Sequence, residues 1–569
     1  MKNITKTIKY GLFCFLFILN FSCNEQRFLE EDPLDFYSLD NSYITSDNFE
    51  SALTDLYARV RKIHFANSQY SFSHLLATDI AKHARGTSDR FGDYDVWMVP
   101  TNAMVKYHWV EWYKVISNAN TIISRLDNSK LTNEQKSAVA AEAKFFRAFA
   151  YRYLVYLYGG VPLILEEVTS PRINYTRATK EETLNQIVMD LTEATKNLPS
   201  NDKVKDGKVS NIVASHYLAE TYISLQKYDE AIVAASTVID DPNTSLMTSR
   251  FGTRANEAPW DDFLDFKSQG DVFWDLFQPR NQNRSSGNKE ALWVAQMEVD
   301  VPGGYLITTA ASNNRLEQWA GPVHYQTYKD PDGKEGMGEL GRSNYNTGGR
   351  GNSFLMNTDF WIYTLWESDW NNDIRNAPHN IIRDTKYTNV NSAWYDSSAV
   401  KYPSPTWLNQ KWRWYPWPSK ITTPQTHPDN IYQDKENRFL KAIAGTTYKD
   451  MYYLRLAETY LLRAEAYLGK GDKLNAASNI NVVRERSHAS PISSNEVTLD
   501  YILDERAREL VYEEQRRITL CRTGKLVERV RKYNDLNSDE IKDFHNLWPI
   551  PQTEIEANKD VVIEQNPGY

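Results

Sequence analysis

Apolar side chains recur at helical intervals towards both ends of the chain and lose that rhythm in between. In TNEQKSAVAAEAKFFRAFAYRYLVYLYGGVPLI (132–164), Phe146, Ala150, Tyr153, Leu154 and Leu157 repeat at three- and four-residue steps. Phe149, Val155 and Tyr158 lie on the other faces, so the spacing predicts a helix buried nearly all round. Thr132 and Gln135 stand at capping-box spacing at its start. Gly159-Gly160 ends it, and Val161-Pro162 cannot continue it. Near the C-terminus, LDYILDERARELVYEEQRR (499–517) puts Leu503, Ala507, Leu510 and Val511 on one face, with Glu505, Arg506, Arg508 and Glu509 around the rest.

Two other helical stretches share a spacing. Ala219, Tyr222 and Ala231 in SHYLAETYISLQKYDEAIVAAS recur as Ala464, Tyr467 and Ala476 in YLLRAEAYLGKGDKLNAASNI. This is the small-residue and aromatic pattern of tetratricopeptide repeats. The copies lie about 245 residues apart, which argues against neighbouring repeats and for helix pairs interrupted by a long insertion. The insertion, 251–440, is rich in Gly, Asn, Pro and Trp and lacks sustained periodicity, so it reads as loops and short strands mounted on the helices. The predicted fold is therefore mainly α, a tetratricopeptide-like scaffold with a large irregular insertion. Its regions are 34–250 (helical), 251–440 (insertion) and 441–569 (helical).

Composition sharpens the question of the insertion. Twelve of the 16 tryptophans fall between 251 and 420, so that stretch needs a reason of its own. WRWYPWP (412–418) is its densest run. As a strand it would turn Trp412 and Trp414 one way and Arg413, Tyr415 and Trp417 the other. Pro416 and Pro418 restrict it to an edge strand or an extended loop, and its tryptophans are read first as packing that fastens the insertion to the scaffold.

The N-terminus sets the compartment. Lys2, Lys6 and Lys9 precede the apolar run YGLFCFLFIL, and Ser22 stands before Cys23, as in a lipoprotein signal (1–22) followed by a tether (23–33). The apolar run is about half of what a transmembrane helix needs. With Cys14 removed and Cys23 acylated, Cys521 is left without a disulfide partner. The formal net charge of −9, more acidic once three lysines leave with the signal, excludes nucleic acid as a natural partner.

Four blocks together resemble the SusD/RagB family of outer-membrane nutrient-binding lipoproteins: AEAKFFRAFAYRYLVYLYGGVPLI (141–164), YLRLAETYLLRAEAYLGKGD (453–472), ERARELVYEEQRRITLCRTGKL (505–526) and LWPIPQTEIEANKDVVIEQNPGY (547–569). Arg516-Arg517-Ile518 departs from the Gly-Arg-Trp-like run common in that family, and Asn20-Phe21 fits the lipobox loosely. The resemblance implies a lipid-anchored, surface-exposed lid on a SusC-like TonB-dependent transporter of the outer membrane. Such a lid captures an oligosaccharide, or in some members a peptide, and does no chemistry of its own. A tetratricopeptide-type assembly adaptor without a small ligand is the third reading.

Sugar capture needs flat aromatic faces and polar groups for hydroxyls. By the resemblance the ligand arc draws on RGTSDRFGDYDVW (85–97), hence Arg85, Asp95 and Trp97, and on segments around Tyr305, Trp319, Trp361 and Trp394, with Cys23 as the lipidation site. Each aromatic taken singly is read first as core, and at least two of the set as lining the site. Asp261, Asp262 and Asp265 in WDDFLDF lack the paired arrangement a glycosidase requires. DPDGKEG (330–336) reads as a turn, with Gly333 too early for an EF-hand and an isolated calcium site left open. No HExxH, Gly-x-Ser-x-Gly or phosphate loop occurs, and neither cofactor nor enzymatic activity is expected.

Overall fold

The computed structural model describes residues 42–65, 70–257, 270–299, 301, 303–305, 314–323, 328–337, 351–422, 427–435, 439–441 and 444–569. Cys23 and the WDDFLDF aspartates lie outside them. Helices α1 (Ser46–Phe65) and α2 (Ala103–Arg125) precede α3 (Asn133–Tyr158). The Gln135 N–H donates to the Thr132 hydroxyl and the Thr132 N–H to the Gln135 side chain, so the reciprocal cap opens α3 as its spacing predicts. From Phe145 to Tyr158 every side chain of α3 is buried.

Two arginines travel into that core and survive there because each meets a matched carboxylate. Arg147 donates to both oxygens of Asp190 (2.8 and 2.7 Å) on α4 (Lys180–Asn197). Arg152 does the same to Glu220 (2.6 Å twice) on α5 (Asn211–Ser224). The helical body continues with α6 (Tyr228–Ile239), α7 (Leu456–Lys470), α8 (Lys473–Arg486), α9 (Leu499–Glu509), α10 (Arg516–Arg522) and α11 (Leu526–Tyr533). None of the described helices is long and apolar enough to cross a membrane.

From α1 to α8 each helix packs on the next, α6 on α7 included. The sequence expectation that the two Ala-Tyr-Ala copies cannot be adjacent is thus corrected. Some 245 residues apart in the chain, α5–α6 and α7–α8 are consecutive pairs in space, because the insertion leaves and returns at the same edge. The contact is close: a Cβ at Gly469 would lie 2.2 Å from the Tyr228 ring, and Arg463 donates to Ser236 at 3.0 Å. Gly469→Ala is expected to cost about 1–3 kcal/mol by overpacking, read as a fall in the urea midpoint with an unchanged slope. A midpoint equal to the parent's would show that the two pairs can separate without cost.

Short strands pair within the insertion and between it and the flanking regions: β1 (Ala81–His83) pairs with β3 (Leu355–Asn357), β2 (Ala291–Ala295) with β8 (Met451–Arg455), β4 (Ile381–Ile382) with β5 (Trp417–Pro418), and β6 (Tyr432–Asp434) with β7 (Phe439–Leu440), all antiparallel. WRWYPWP is mostly not strand. A 3-10 turn spans Lys411–Arg413 and only Trp417-Pro418 pairs, so the even alternation of faces does not develop. Trp414 and Trp417 are 1% and 2% exposed, whereas Trp412 is half-buried. DPDGKEG closes as a turn about Asp330, whose carboxylate accepts from the N–H groups of Asp332 and Lys334 and from the Ser392 hydroxyl.

The charged residues of α9 do not face water. Glu505 and Glu509 are fully buried and Arg506 and Arg508 nearly so. Around Glu505 and Glu509 a network joins Arg375, Arg455, Arg484, Arg486, Arg508 and Lys420 to Asp369, Asp373, Glu290, Glu505, Glu509 and Glu513. Six cations balance six anions, and they come from the insertion as well as from the helices. An amphipathic reading of α9 therefore misses what fills its second face.

Candidate functional site

The site is built on the loop that follows β1. Its approach is held from below by the Arg516-Arg517 run: Arg516 donates to both oxygens of buried Asp79 (2.9 and 2.6 Å), and Arg517 to the carbonyls of Ser73, Leu76 and Ala77. Burial would raise the Asp79 carboxyl, but Arg516 and Arg529 hold it at about 2. The loop then turns through two consecutive left-handed residues, Arg90 (φ 54°) and Phe91 (φ 59°). Such conformations cost about 1–3 kcal/mol each and persist only where the surroundings impose them. Here Phe91 is fully buried with the Arg517 guanidinium 4.3 Å above its ring, and a Cβ at Gly92 would strike the Thr87 carbonyl at 1.8 Å. Asp93 caps the short helix Tyr94–Trp97 by accepting from the N–H groups of Asp95 and Val96.

Pairing of β1 with β3 brings Phe354 beside this loop, the Ala84 N–H donating to its carbonyl at 3.1 Å. The Phe354 N–H in turn donates to the Trp319 carbonyl (3.0 Å). Trp319, on the short helix Leu316–Ala320, stacks on Phe72 at 4.6 Å and meets Phe354 at 5.2 Å. Beneath them the Tyr415 hydroxyl lies 3.1 Å from the Ala320 carbonyl. On this aromatic floor lie three guanidinium groups. Arg85 sits 4.8 Å from both the Phe354 and Trp412 ring centres, Arg90 3.8 Å from Phe354 and 5.6 Å from Trp319, and Arg413 4.5 Å from Trp412.

The charges feel one another. Partial burial and then the charge of Arg85 lower the pKa of both Arg90 and Arg413. His83, behind the loop, is held neutral, its pKa pushed down to about 4 by burial, Arg90 and Arg85. Asp89 is in contact with Arg90 and 3.5 Å from His83.

Of the residues expected from the sequence, Arg85 stands on this surface, and Trp319, 6% exposed, packs beneath it as part of the core. Trp97 braces the loop from its inner side, 9% exposed, its indole N–H donating to the Ser88 carbonyl at 2.6 Å. Asp95 is exposed and pairs instead with Lys542 at 2.5 Å. Tyr305 is held against α1 with Arg61 4.9 Å over its ring, and Trp394 packs on Tyr402 at 5.2 Å. Trp361 is core: 1% exposed, it donates to the Ala507 carbonyl at 2.9 Å and leaves no face for a ligand. Sequence reasoning missed Phe354 and Arg413; Arg90 lies in the 85–97 segment it had drawn on without being singled out, and for Trp412 a ligand role was only its second reading. The adjacency of Trp412 and Arg413 was the available signal. A separate groove of 410 Å³ runs between α2 and the segments near 162–175 and 554–563, lined by Trp109, Tyr113, Val168 and Tyr175.

Comparison with known proteins points the same way from both halves of the chain. A model described as SusD family matches residues 311–569, and one described as starch-binding associating with outer membrane matches residues 28–223. A SusD-like protein of Formosa agariphila is 24% identical over 98% of each chain. The starch-binding protein SusD of Bacteroides thetaiotaomicron is 34% identical across 137 residues, 23% of this chain and 24% of its own. Among solved structures, a laminarin binding SusD-like protein shares the fold with a TM-score of 0.63 and 22% identity, covering 93% of this chain and all of the other.

Proposed function

The chain belongs to the SusD/RagB family, and on that premise we propose that it is a cell-surface binding protein that captures an oligosaccharide without cleaving it. In this reading Cys23 carries the lipid that holds it to the outer membrane, and the captured sugar passes to a SusC-like TonB-dependent transporter. The observation that carries the reading is the convergence of Phe354 and Trp412 with Arg85, Arg90 and Arg413 on one surface, above the buried Trp319 and from three stretches spread across more than half of the chain. Rings offer faces to the C–H side of a sugar, a stack contributing about 0.5–1.5 kcal/mol beyond the area it buries, and guanidinium groups donate to its oxygens. Modest affinity suffices for a lid tethered beside its transporter, because tethering raises the effective concentration.

Calorimetry of a form lacking residues 1–23, titrated with glycans of plant, algal and microbial origin and with a peptide digest, tests the reading. Saturable heat with one glycan class, no new reducing ends, and about a tenfold loss in Trp412→Ala, worth about 1.4 kcal/mol, is the expected result. Binding of peptides alone, or glycan binding indifferent to Trp412, would sink it.

A further inference from the structure

We propose that the insertion carries a second carbohydrate subsite, formed by Tyr363, Trp370 and Arg383, which takes a neutral, hydroxyl-bearing sugar unit. It rests on the capture reading above for the class of ligand and on its own geometry for the place. An apolar side chain that stands singly on a surface needs no explanation. Here two rings stand out of the surface, Tyr363 45% and Trp370 41% exposed, and Arg383 joins them. Its guanidinium lies 4.7 Å from the Trp370 ring centre, and its Nη2 donates to the carbonyl of Ile362, the residue before Tyr363, at 2.8 Å and to the Asn376 side chain at 2.6 Å. The Nη1 group has no hydrogen-bond partner among the described residues and, unlike the buried Nε, is not enclosed.

Both rings are mounted on backbone that is held from within. Trp370 follows Asp369, whose buried carboxylate accepts from Arg484 (2.7 Å) and from the Ser490 N–H (2.9 Å), and it precedes Asp373, paired with Arg375 at 2.7 Å. The Asp373 N–H donates to the Asp369 carbonyl (3.0 Å) and the Asn376 side chain to the Trp370 carbonyl (2.6 Å), which closes the turn. Tyr363 stands between Trp361 and Trp366, each 1% exposed, and its carbonyl accepts from the Trp366 N–H at 3.1 Å. The ion network and the core thus fix the supports of two rings that neither of them buries. Little freedom remains to be lost when a sugar settles on them.

The polar groups around the rings are mixed in kind. Arg383 only donates, exposed Asp359 only accepts, and the exposed amides of Asn371 and Asn372, next after Trp370, do both. Asp359 is close enough to push the Tyr363 hydroxyl up beyond what partial burial does, with Arg383 acting in the opposite sense. A sugar hydroxyl is donor and acceptor at once, so a set of this composition answers it, and the ring faces receive the C–H side of the same unit. With an acid beside the arginine, the group suits a neutral sugar. Nine residues lead from Phe354 through β3 to Tyr363, so the chain holds the two places within about 30 Å of each other. One polysaccharide can then engage both, and the second contact adds avidity to the first.

The full chain in a non-ionic detergent should be run in native gels that contain laminarin, amylopectin or galactomannan, where binding retards migration. One of these neutral polymers is expected to retard it. Trp370→Ala and Tyr363→Ala should each weaken that retardation about three- to tenfold, the range one stack supplies, and Trp370→Phe, which keeps a flat face, should restore most of it. The melting temperature of Trp370→Ala should not move, because the ring is exposed and the turn is held by its neighbours. Trp412→Ala should leave a residue of binding that the added Trp370→Ala removes. Retardation unchanged in both Trp370→Ala and Tyr363→Ala, yet lost in Trp412→Ala, would overturn the second subsite and leave capture standing. Retardation that needs Trp370 and Tyr363 but not Trp412 would uphold the second subsite and sink capture at the first surface. Free migration in all three polymers would overturn both.

Discussion

Glu509→Gln should lower the stability of the protein by about 3–5 kcal/mol, the scale on which a buried charge left without its partner destabilises a fold. Glu509 accepts from Arg455 at 2.9 Å and Arg375 at 3.1 Å and contacts Arg486, and no part of it reaches solvent. Burial alone would raise its pKa, but the three arginines hold it well below the usual carboxylate range. Its amide isostere keeps the volume and removes the charge, leaving six buried cations against five anions. Urea unfolding of the variant beside an exposed control, Glu528→Gln, measures the difference. A loss under about 1 kcal/mol, the scale of a surface pair, would mean that water or a rearranged neighbour compensates the arginines, contrary to the structure.

The second large effect is that of mild acid. His64, His74, His108 and His216 are buried, and desolvation lowers their pKa to about 4 for His64 and about 3 for His108 and His216, with His74 also well below 6.5. The His74 and His108 rings lie 4.5 Å apart, so a proton on one further disfavours a proton on the other. The folded protein refuses protons that the unfolded chain accepts below 6.5. The stability these residues confer is therefore complete above that value and is lost as the pH falls from 6.5 towards 4, at about 1.4 kcal/mol per pH unit for each. Carboxyls whose pKa burial raises, such as Glu458 and Asp450, work in the opposite sense and offset part of the loss. A fall of a few kcal/mol between pH 7 and about 5.5 is expected from urea midpoints. His83 and His545, both lowered to about 4, add to the same slope, and neither ring nitrogen of His74 has a hydrogen-bond partner among the described residues, so His74→Phe should reduce the slope by about a sixth without orphaning a neighbour. Flat stability over this range would show that the histidines are already protonated or reach water.

What could be read from the chain beforehand follows from how local each cause is. The long α3 was legible because its cap, its apolar period and its terminating glycines are all within the segment. The repeat-like pairs were legible for the same reason, while their contact across the insertion was not, since nothing in either copy states where a distant chain returns. The ion network was hidden by the same rule: Glu509 looks like a solvated residue until Arg375, Arg455 and Arg486 are placed around it. At the candidate site, aromatic richness and the family resemblance drew attention to the 85–97 loop and Trp319. Trp361 shared that richness and is core, because composition does not distinguish a ring that faces water from one that faces Ala507. Trp412 and Trp414 differ by two positions and by a 3-10 turn, and that turn decides which of them reaches the surface.

The contact of α6 with α7 makes the 216 residues between Ile239 and Leu456 an excursion with a closed stem. Once its two ends are pinned together, lengthening such an excursion costs only about 0.6 kcal/mol per doubling in closure entropy. What the scaffold demands of the excursion is a short set of clamps, Glu290, Asp373, Arg375 and Lys420, which must return to satisfy the charges on α8, α9 and their surroundings. To these are added Asp369 and the buried rings of Trp361, Trp414 and Trp417, and the exposed loops between such anchors are what can be rewritten. A chain organised in this way can exchange one ligand for another by altering loops that bear no weight, while the stack of helices keeps the same sequence logic and the same shape.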